Sequence, residues 1–144
     1  MLINIYTDGA CSGNPGIGGW GVTIQINNNK TIHLNGGSLE TTNNQMELTA
    51  AIEALKYFSK PKKINIYTDS KYLKDGILIW IKKWKTNGWK TTSKKEVKNR
   101  DLWIKLDKYI SEHIVEWHWV KGHAGNKNNE QADFLAKKFI LENK

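Results

Sequence analysis

Residues 2–7 open the chain as a strand, and Trp20-Gly21-Val22-Thr23-Ile24-Gln25-Ile26 alternates apolar and polar positions with a period of two, the pattern of a half-buried strand. Asn27-Asn28-Asn29 supplies a turn that returns the chain through Thr31 to Leu34, which predicts a three-stranded antiparallel meander. The period then changes. Thr42-Asn43-Asn44-Gln45 has the form of a capping box, and Leu48, Ala51, Ile52, Leu55 and Phe58 recur at helical spacing to about residue 59, with Pro61 as the expected stop. Residues 64–68 read as a fourth strand, and its approach through a helix predicts parallel pairing with an earlier strand. Helical patterns follow over about 71–84, with a break expected at Asp75-Gly76, and over 100–111, while 85–98 reads as loop. A fifth strand over 114–120, a loop over 122–128 and a closing helix over 130–141 complete the chain. The order βββαβααβα predicts an α/β fold in which helices flank a five-stranded mixed sheet.

Composition narrows the class. The 144 residues are 39% apolar and include seven Trp, five Tyr and three Phe, enough for one core, so residues 1–144 are expected to form a single domain rather than a disordered chain. Cys11 is the lone cysteine and has no intramolecular partner, which points to a reducing, cytoplasmic compartment. The first residues carry no basic leader, and the longest apolar run, 77–81, is too short to cross a bilayer, so no membrane partner is expected. The Asn29-Lys30-Thr31 glycosylation pattern is then coincidental.

The net charge of +8 is local. Residues 71–108 hold twelve Lys and Arg against four Asp and Glu, and the rest of the chain balances. The same block contains Trp80, Trp84, Trp89 and Trp103. Cations interleaved with flat rings suit a polyanion that also offers bases or sugars for stacking, and a solvated cationic face over core tryptophans explains the same pattern. Trp103 and one of Trp80 or Trp84 suit the core; Trp89, beside Asn87-Gly88, is expected to be exposed.

Four carboxylates sit in unusual places. The hexapeptide Ile-Asn-Ile-Tyr-Thr-Asp occurs at 3–8 and again at 64–69, so two strands of identical phase each finish in an aspartate, Asp8 and Asp69. As parallel neighbours these strands would set both acids at the carboxyl edge of the sheet, where open α/β sheets bind ligands. A turn or helix-cap role is the competing reading, stronger for Asp69 before Ser70 than for Asp8. Glu47 shares a helical stripe with Ala51, Ala54 and Phe58, and Asp133 flanks Ala132, Leu135, Ala136 and Phe139 in what reads as the first turn of the last helix. A rim ion pair or a favourable N-terminal charge would explain either one singly. Two unit charges 4 Å apart repel by about 4 kcal/mol at an effective dielectric of 20, so four converging acids must hold protons or a cation. An all-oxygen set without Cys or His selects Mg²⁺ or Mn²⁺. Beside a basic aromatic surface, that chemistry is metal-assisted phosphodiester hydrolysis, in which two ions roughly 4 Å apart serve the attacking and leaving oxygens.

His123, in Gly122-His123-Ala124-Gly125, suits a proton shuttle and an ordinary surface histidine equally well. His33, His113 and His118 have no ligand spacing and read as structural. The glycine-rich segment 9–19 leads into a strand and not a helix, which removes the nucleotide-loop reading and leaves a wide hairpin whose backbone can approach a ligand closely, or plain turn chemistry.

Asp8-Gly9, Gly13-Asn14-Pro15-Gly16, Thr42-Asn43-Asn44-Gln45-Met46-Glu47-Leu48, Thr68-Asp69-Ser70, Lys98-Asn99-Arg100-Asp101-Leu102-Trp103 and Trp119-Val120-Lys121-Gly122-His123-Ala124-Gly125, followed by Asp133, closely resemble the bacterial type of ribonuclease HI in order and spacing over nearly the whole chain. The resemblance implies the ribonuclease H-like fold and an endonuclease that cuts the RNA strand of RNA/DNA hybrids, leaving 5′-phosphate and 3′-hydroxyl ends. It implies Mg²⁺, with Mn²⁺ as a substitute, as two ions when substrate is bound, and a monomeric protein. It assigns metal binding to Asp8, Glu47, Asp69 and Asp133 and a catalytic role near the scissile phosphate to His123. Gly9, Cys11, Asn14, Asn43 and Asn44 match positions along the RNA strand in the minor groove, where 2′-hydroxyl contacts distinguish RNA. Thr42 and Asn99, next to Lys98, match a DNA-phosphate pocket, and Trp80, Trp84 and Trp103 match the DNA-strand channel beside a basic protrusion at about 80–98. Glu40 and Gln45 stand where an arginine is common, and Lys71 where a glutamine is frequent.

Two other classes stay open from the sequence: a non-catalytic hybrid-binding module, against which the four retained acids argue, and a DNA resolvase or integrase core on the same scaffold.

Overall fold

A computed structural model describes residues 1–90, 97–121 and 126–144. Strands β1 (Ile3–Ser12), β2 (Gly16–Ile26) and β3 (Lys30–Thr41) form the expected antiparallel meander. Asn27 and Asn28 turn the β2–β3 hairpin with φ of 53° and 60°, and asparagine tolerates this left-handed region better than most residues. β1 does not stop at Asp8. Its ladder with β2 continues to Ser12 opposite Ile17, so the glycine-rich segment is strand closed by a short turn rather than a wide hairpin.

Helix α1 (Asn43–Lys56) starts where Thr42 accepts the Gln45 N–H at 3.2 Å. It ends at Lys56, so Pro61 lies beyond the stop instead of causing it. β4 (Lys63–Thr68) then pairs parallel to β1, and β5 (Ile114–Trp119) parallel to β4, giving the sheet order β3-β2-β1-β4-β5. The repeated hexapeptides lie in register, with Asn4 opposite Asn65, Ile5 opposite Ile66 and Tyr6 opposite Tyr67.

The break expected at Asp75-Gly76 is absent. Helix α2 (Lys71–Asp75) passes through a π-helical turn (Gly76–Trp80) into α3 (Ile81–Thr86). Gly76 serves packing: a Cβ there would stand 1.9 Å from the Trp103 ring. Helix α4 (Arg100–Ser111) has its expected span. Helix α5 (Lys127–Glu142) begins earlier than expected, because the Asn126 side chain accepts the N–H groups of Asn128 and Asn129 and caps it. Asp133 therefore sits in the second turn, not the first.

The period-two alternation sends Ile3, Ile5, Val22, Ile24, Ile64 and Ile66 to one sheet face, where they meet Leu48, Ile52 and Leu55 of α1, Leu73 of α2, and Trp103 and Leu106 of α4. Each such fully buried aliphatic side chain contributes about 1.5–3 kcal/mol relative to an exposed one. Helix α5 covers the opposite face of β1 and β2. Gly21 lets it approach, since a Cβ there would lie 2.2 Å from the Ala132 carbonyl oxygen.

Candidate active site

In-register pairing of β1 with β4 carries Asp8 and Asp69 to the same level of the sheet, Asp8 within β1 and Asp69 just past the end of β4. Gly9 brings β1 against the first turns of α1, where a Cβ would be 2.5 Å from the Glu47 nitrogen. This contact delivers Glu47 to the two aspartates. Asp8, Glu47 and Asp69 each offer a carboxylate oxygen, and these oxygens all lie within 4.8 Å of one another. Asp133 stands outside that three-way set, but its carboxyl group shares a hydrogen bond with Asp8 and its Oδ2 lies 3.0 Å from Lys137 Nζ.

The electrostatics follow from burial and crowding. Asp8 and Glu47 are 5% and 6% exposed. Desolvation, then the Glu47 charge, the hydrogen bond with Asp133 and the Asp69 charge push the Asp8 carboxyl up to about 9. Desolvation and the Asp69 charge raise Glu47 to about 7, against hydrogen bonds from Ser70 and the Gly9 N–H that favour its charged form. Glu47 Oε1 is buried without a hydrogen-bond partner. A buried orphan oxygen within a set of hard oxygen donors, with like charges held close enough to retain protons, fits a divalent cation such as Mg²⁺ or Mn²⁺.

The motif Thr68-Asp69-Ser70 gives Ser70 no role of its own, and the structure gives it two. Ser70 caps α2, accepting the Leu73 N–H at 3.1 Å, and its hydroxyl also donates to Glu47. Its place directly after Asp69 was the available signal. Tyr72 carries no signal of a role in the sequence, yet its hydroxyl accepts from Trp103 Nε1 at 3.0 Å and from Asn99 Nδ2 at 3.1 Å.

Around the acids, Asn14 Oδ1 accepts the Asn43 N–H at 3.0 Å, which ties the β1–β2 turn to the start of α1 and groups Gly9, Asn14, Asn43 and Asn44 on one side. Cys11 is half-buried, and its thiol donates toward the carbonyls of Gly13, Gly16 and Thr41. Gln45 lines a cavity with Lys98 and Asn99, its Oε1 accepting from Thr41 and its Nε2 donating to Asn99 Oδ1. Asn99 holds a left-handed φ of 60°. Glu40 is exposed at the end of β3.

Trp103 lies in the core as its sequence context predicts, which corrects its match to the DNA-strand channel. It is 0% exposed, so its ring belongs to the core and meets no ligand. Trp84 rests on it at 5.6 Å, Trp80 on Trp84 at 5.8 Å, and Trp89 on Trp84 at 6.1 Å. Trp89 is half-buried rather than exposed. Trp80 and Trp84 are also half-buried and carry the aromatic row outward to the basic segment. His33, His113 and His118 each join a hydrogen bond, to Thr23, the Lys62 N–H and Asn65. His123 and part of the basic segment, 91–96, lie outside the described residues.

The family model described as RNase H matches residues 2–140. The ribonuclease H of Bradyrhizobium diazoefficiens is 55% identical over 98% of this chain and 91% of its own length. The ribonuclease HI of Brucella melitensis is 57% identical over 94% and 87%. Among solved structures, LC9-RNase H1, a type 1 RNase H with the type 2 active-site motif, superposes with a TM-score of 0.85 at 32% identity, over 99% of this chain and 74% of that one. LC11-RNase H1, solved in complex with an RNA/DNA hybrid, gives 0.73 at 25% identity over 97% of each chain. The architecture, the acid cluster and these likenesses agree: the chain belongs to the ribonuclease H family.

Proposed function

We infer that this chain is an endonuclease that hydrolyses the RNA strand of RNA/DNA hybrids, leaving 5′-phosphate and 3′-hydroxyl ends. One observation carries the reading: Asp8, Glu47 and Asp69, from three separate elements, converge at one sheet edge beside a strongly basic, tryptophan-rich flank. Asp8, Glu47, Asp69 and Asp133 would hold Mg²⁺, or Mn²⁺ in its place, as two ions with substrate bound. Bound ions supply a water activated for attack and a stabilised leaving oxygen.

The chain's own side chains do the positioning. Gly9, Cys11, Asn14, Asn43 and Asn44 follow the RNA strand through the minor groove, where 2′-hydroxyls separate RNA from DNA. Thr42, Lys98 and Asn99 receive a phosphate of the DNA strand, with Gln45 holding the Asn99 amide. Trp80 and Trp84 and the cations of 80–98 run along that strand. His123 moves a proton near the scissile phosphate. The protein works as a cytoplasmic monomer, a single domain over 1–144; among the described residues no helix is long and apolar enough to cross a membrane.

The test is a labelled RNA/DNA duplex in Mg²⁺, with RNA/RNA and DNA/DNA controls. The RNA strand of the hybrid alone is cut, and Asp69→Asn abolishes cutting while hybrid binding persists. Tight binding without turnover in either metal would mean a binding module, and preferential cutting of junction or duplex DNA a resolvase-like enzyme.

A further inference from the structure

On the side of Asp69 away from Asp8, the carboxyl ends of β4 and β5 open into a cavity of about 470 Å³. Its walls include Asp69, Lys71, Lys74, Asp75, Trp119 and Lys121. The three lysines come from two separate parts of the chain, α2 and the residues just after β5, and all are exposed. Among the described residues none of the three takes part in a salt bridge. With Asp69 and Asp75 both on its walls, the cavity sets three cations against two carboxylates, and one of those carboxylates also belongs to the acid cluster. Trp119 is stacked on Trp117 at 5.4 Å with their planes 5° apart, which fixes its ring as a flat wall.

A strand lying across the acids must continue in both directions. On one side it meets the Gly9, Asn14 and Asn43 surface; on the other it meets this cavity. We propose that Lys71, Lys74 and Lys121, with the Trp119 ring, form a subsite for a phosphate of the RNA strand and the sugar attached to it, beyond the scissile bond on the β5 side. The proposal rests on the hybrid-cleavage reading and adds a second anchor to it. Three ammonium groups recognise the anionic phosphate as point charges, and the ring packs against the apolar face of the sugar or base.

The test neutralises both partners in turn. The triple variant Lys71→Gln, Lys74→Gln, Lys121→Gln is paired with hybrids in which single RNA-strand phosphates are replaced by uncharged methylphosphonates, one position at a time. Binding is measured in EDTA, where no strand is cut, so its outcome is independent of turnover. The wild type loses on the order of tenfold in affinity at one RNA-strand position, and the triple variant, already weaker, loses nothing further there. Its salt dependence is also flatter by about one to two in log–log slope. A control triple, Lys30→Gln, Lys56→Gln, Lys60→Gln, keeps the position-specific loss. Equal losses for wild type and triple variant at every RNA-strand position, or a matching position on the DNA strand instead, overturn the subsite. Failure of the wild type to cut the hybrid in Mg²⁺ overturns the cleavage reading and leaves the binding result to stand by itself. Circular dichroism confirms that the exposed substitutions leave the fold intact.

Discussion

Gly9 lies so close to Glu47 that a Cβ on Gly9 would stand 2.5 Å from the Glu47 nitrogen and 2.9 Å from its Oε1. The spacing of Asp8 and Glu47 depends on that contact, because the two acids flank it, one on the strand and one on the helix. In Gly9→Ala the strand must move off the helix. Overpacking of this kind costs about 1–3 kcal/mol, and a displacement of about 1 Å at a reacting centre costs on the order of 10²-fold in rate. The variant is expected to fold with a lowered Tm and to lose about two orders of magnitude in kcat. An unchanged kcat would show that the separation of Asp8 and Glu47 does not matter to the reaction.

Crowded acids make the metal-free protein sensitive to alkali. Asp8 and Glu47 are both raised, to about 9 and about 7, so the folded chain holds protons that the unfolded chain has already released above about pH 4. Their contribution to stability is therefore fullest at low pH and declines as pH rises through about 7 and then about 9. Asp8→Asn removes a group that must take up a proton to fold at alkaline pH. In EDTA at pH 8 its Tm is expected to exceed the wild type's by several degrees, and the difference to shrink toward pH 5. Thermal melts across that range check it, and a gap that widened on acidification would contradict the assignment.

Added Mg²⁺ is expected to reverse the order. A cation that binds only the folded acids stabilises by about 2.7 kcal/mol at a hundredfold excess over its Kd, so the wild type gains in Tm as Mg²⁺ is titrated and Asp8→Asn gains little. Equal gains would place the ion elsewhere.

Gln45 joins Thr41 to Asn99 through hydrogen bonds of 2.8 and 3.2 Å, in the cavity that Lys98 also lines. Gln45→Arg exchanges that bridge for a cation beside Lys98. Hybrid affinity is expected to rise at low salt and the log–log salt slope to steepen by about one, the signature of one more phosphate contact. A salt slope that stays as in the wild type would mean that no phosphate reaches this cavity.

The basic flank is tested by Lys82→Gln, Lys83→Gln, Lys85→Gln. Lys85 already pairs with Asp107 at 3.4 Å, an exposed contact worth little. The triple variant is expected to bind hybrid more weakly and with flatter salt dependence, while kcat at saturation holds. A fall in kcat at unchanged KM would assign these lysines to chemistry instead of to binding.

Much of the fold was legible because local patterns specify it. The alternation over 20–26, the Asn27–Asn29 turn and the Thr42 cap each report a backbone preference that neighbours alone enforce, and the parallel pairing of β4 with an earlier strand follows from the crossover through α1. The repeated hexapeptide even carries the site: identical phase, paired parallel and in register, brings Asp8 level with Asp69, and Tyr6 stacks on Tyr67 at 4.9 Å as a consequence.

What the chain alone could not decide is set by contacts between distant segments. Gly76 looks like a helix breaker until the Trp103 ring is seen filling the space its missing side chain leaves. Trp103 suits the core from its sequence, but that Tyr72 accepts its indole N–H there is decided by the packing of α2 against α4. Asp133 reaches Asp8 only because Gly21 admits the backbone of α5 against β2, and Glu47 becomes buried only because Gly9 admits α1 against β1. Propensity and periodicity act over a few residues, so they determined the elements and the candidate acids; the gathering of those acids depends on steric fits between segments dozens of residues apart, and only tertiary packing supplies them.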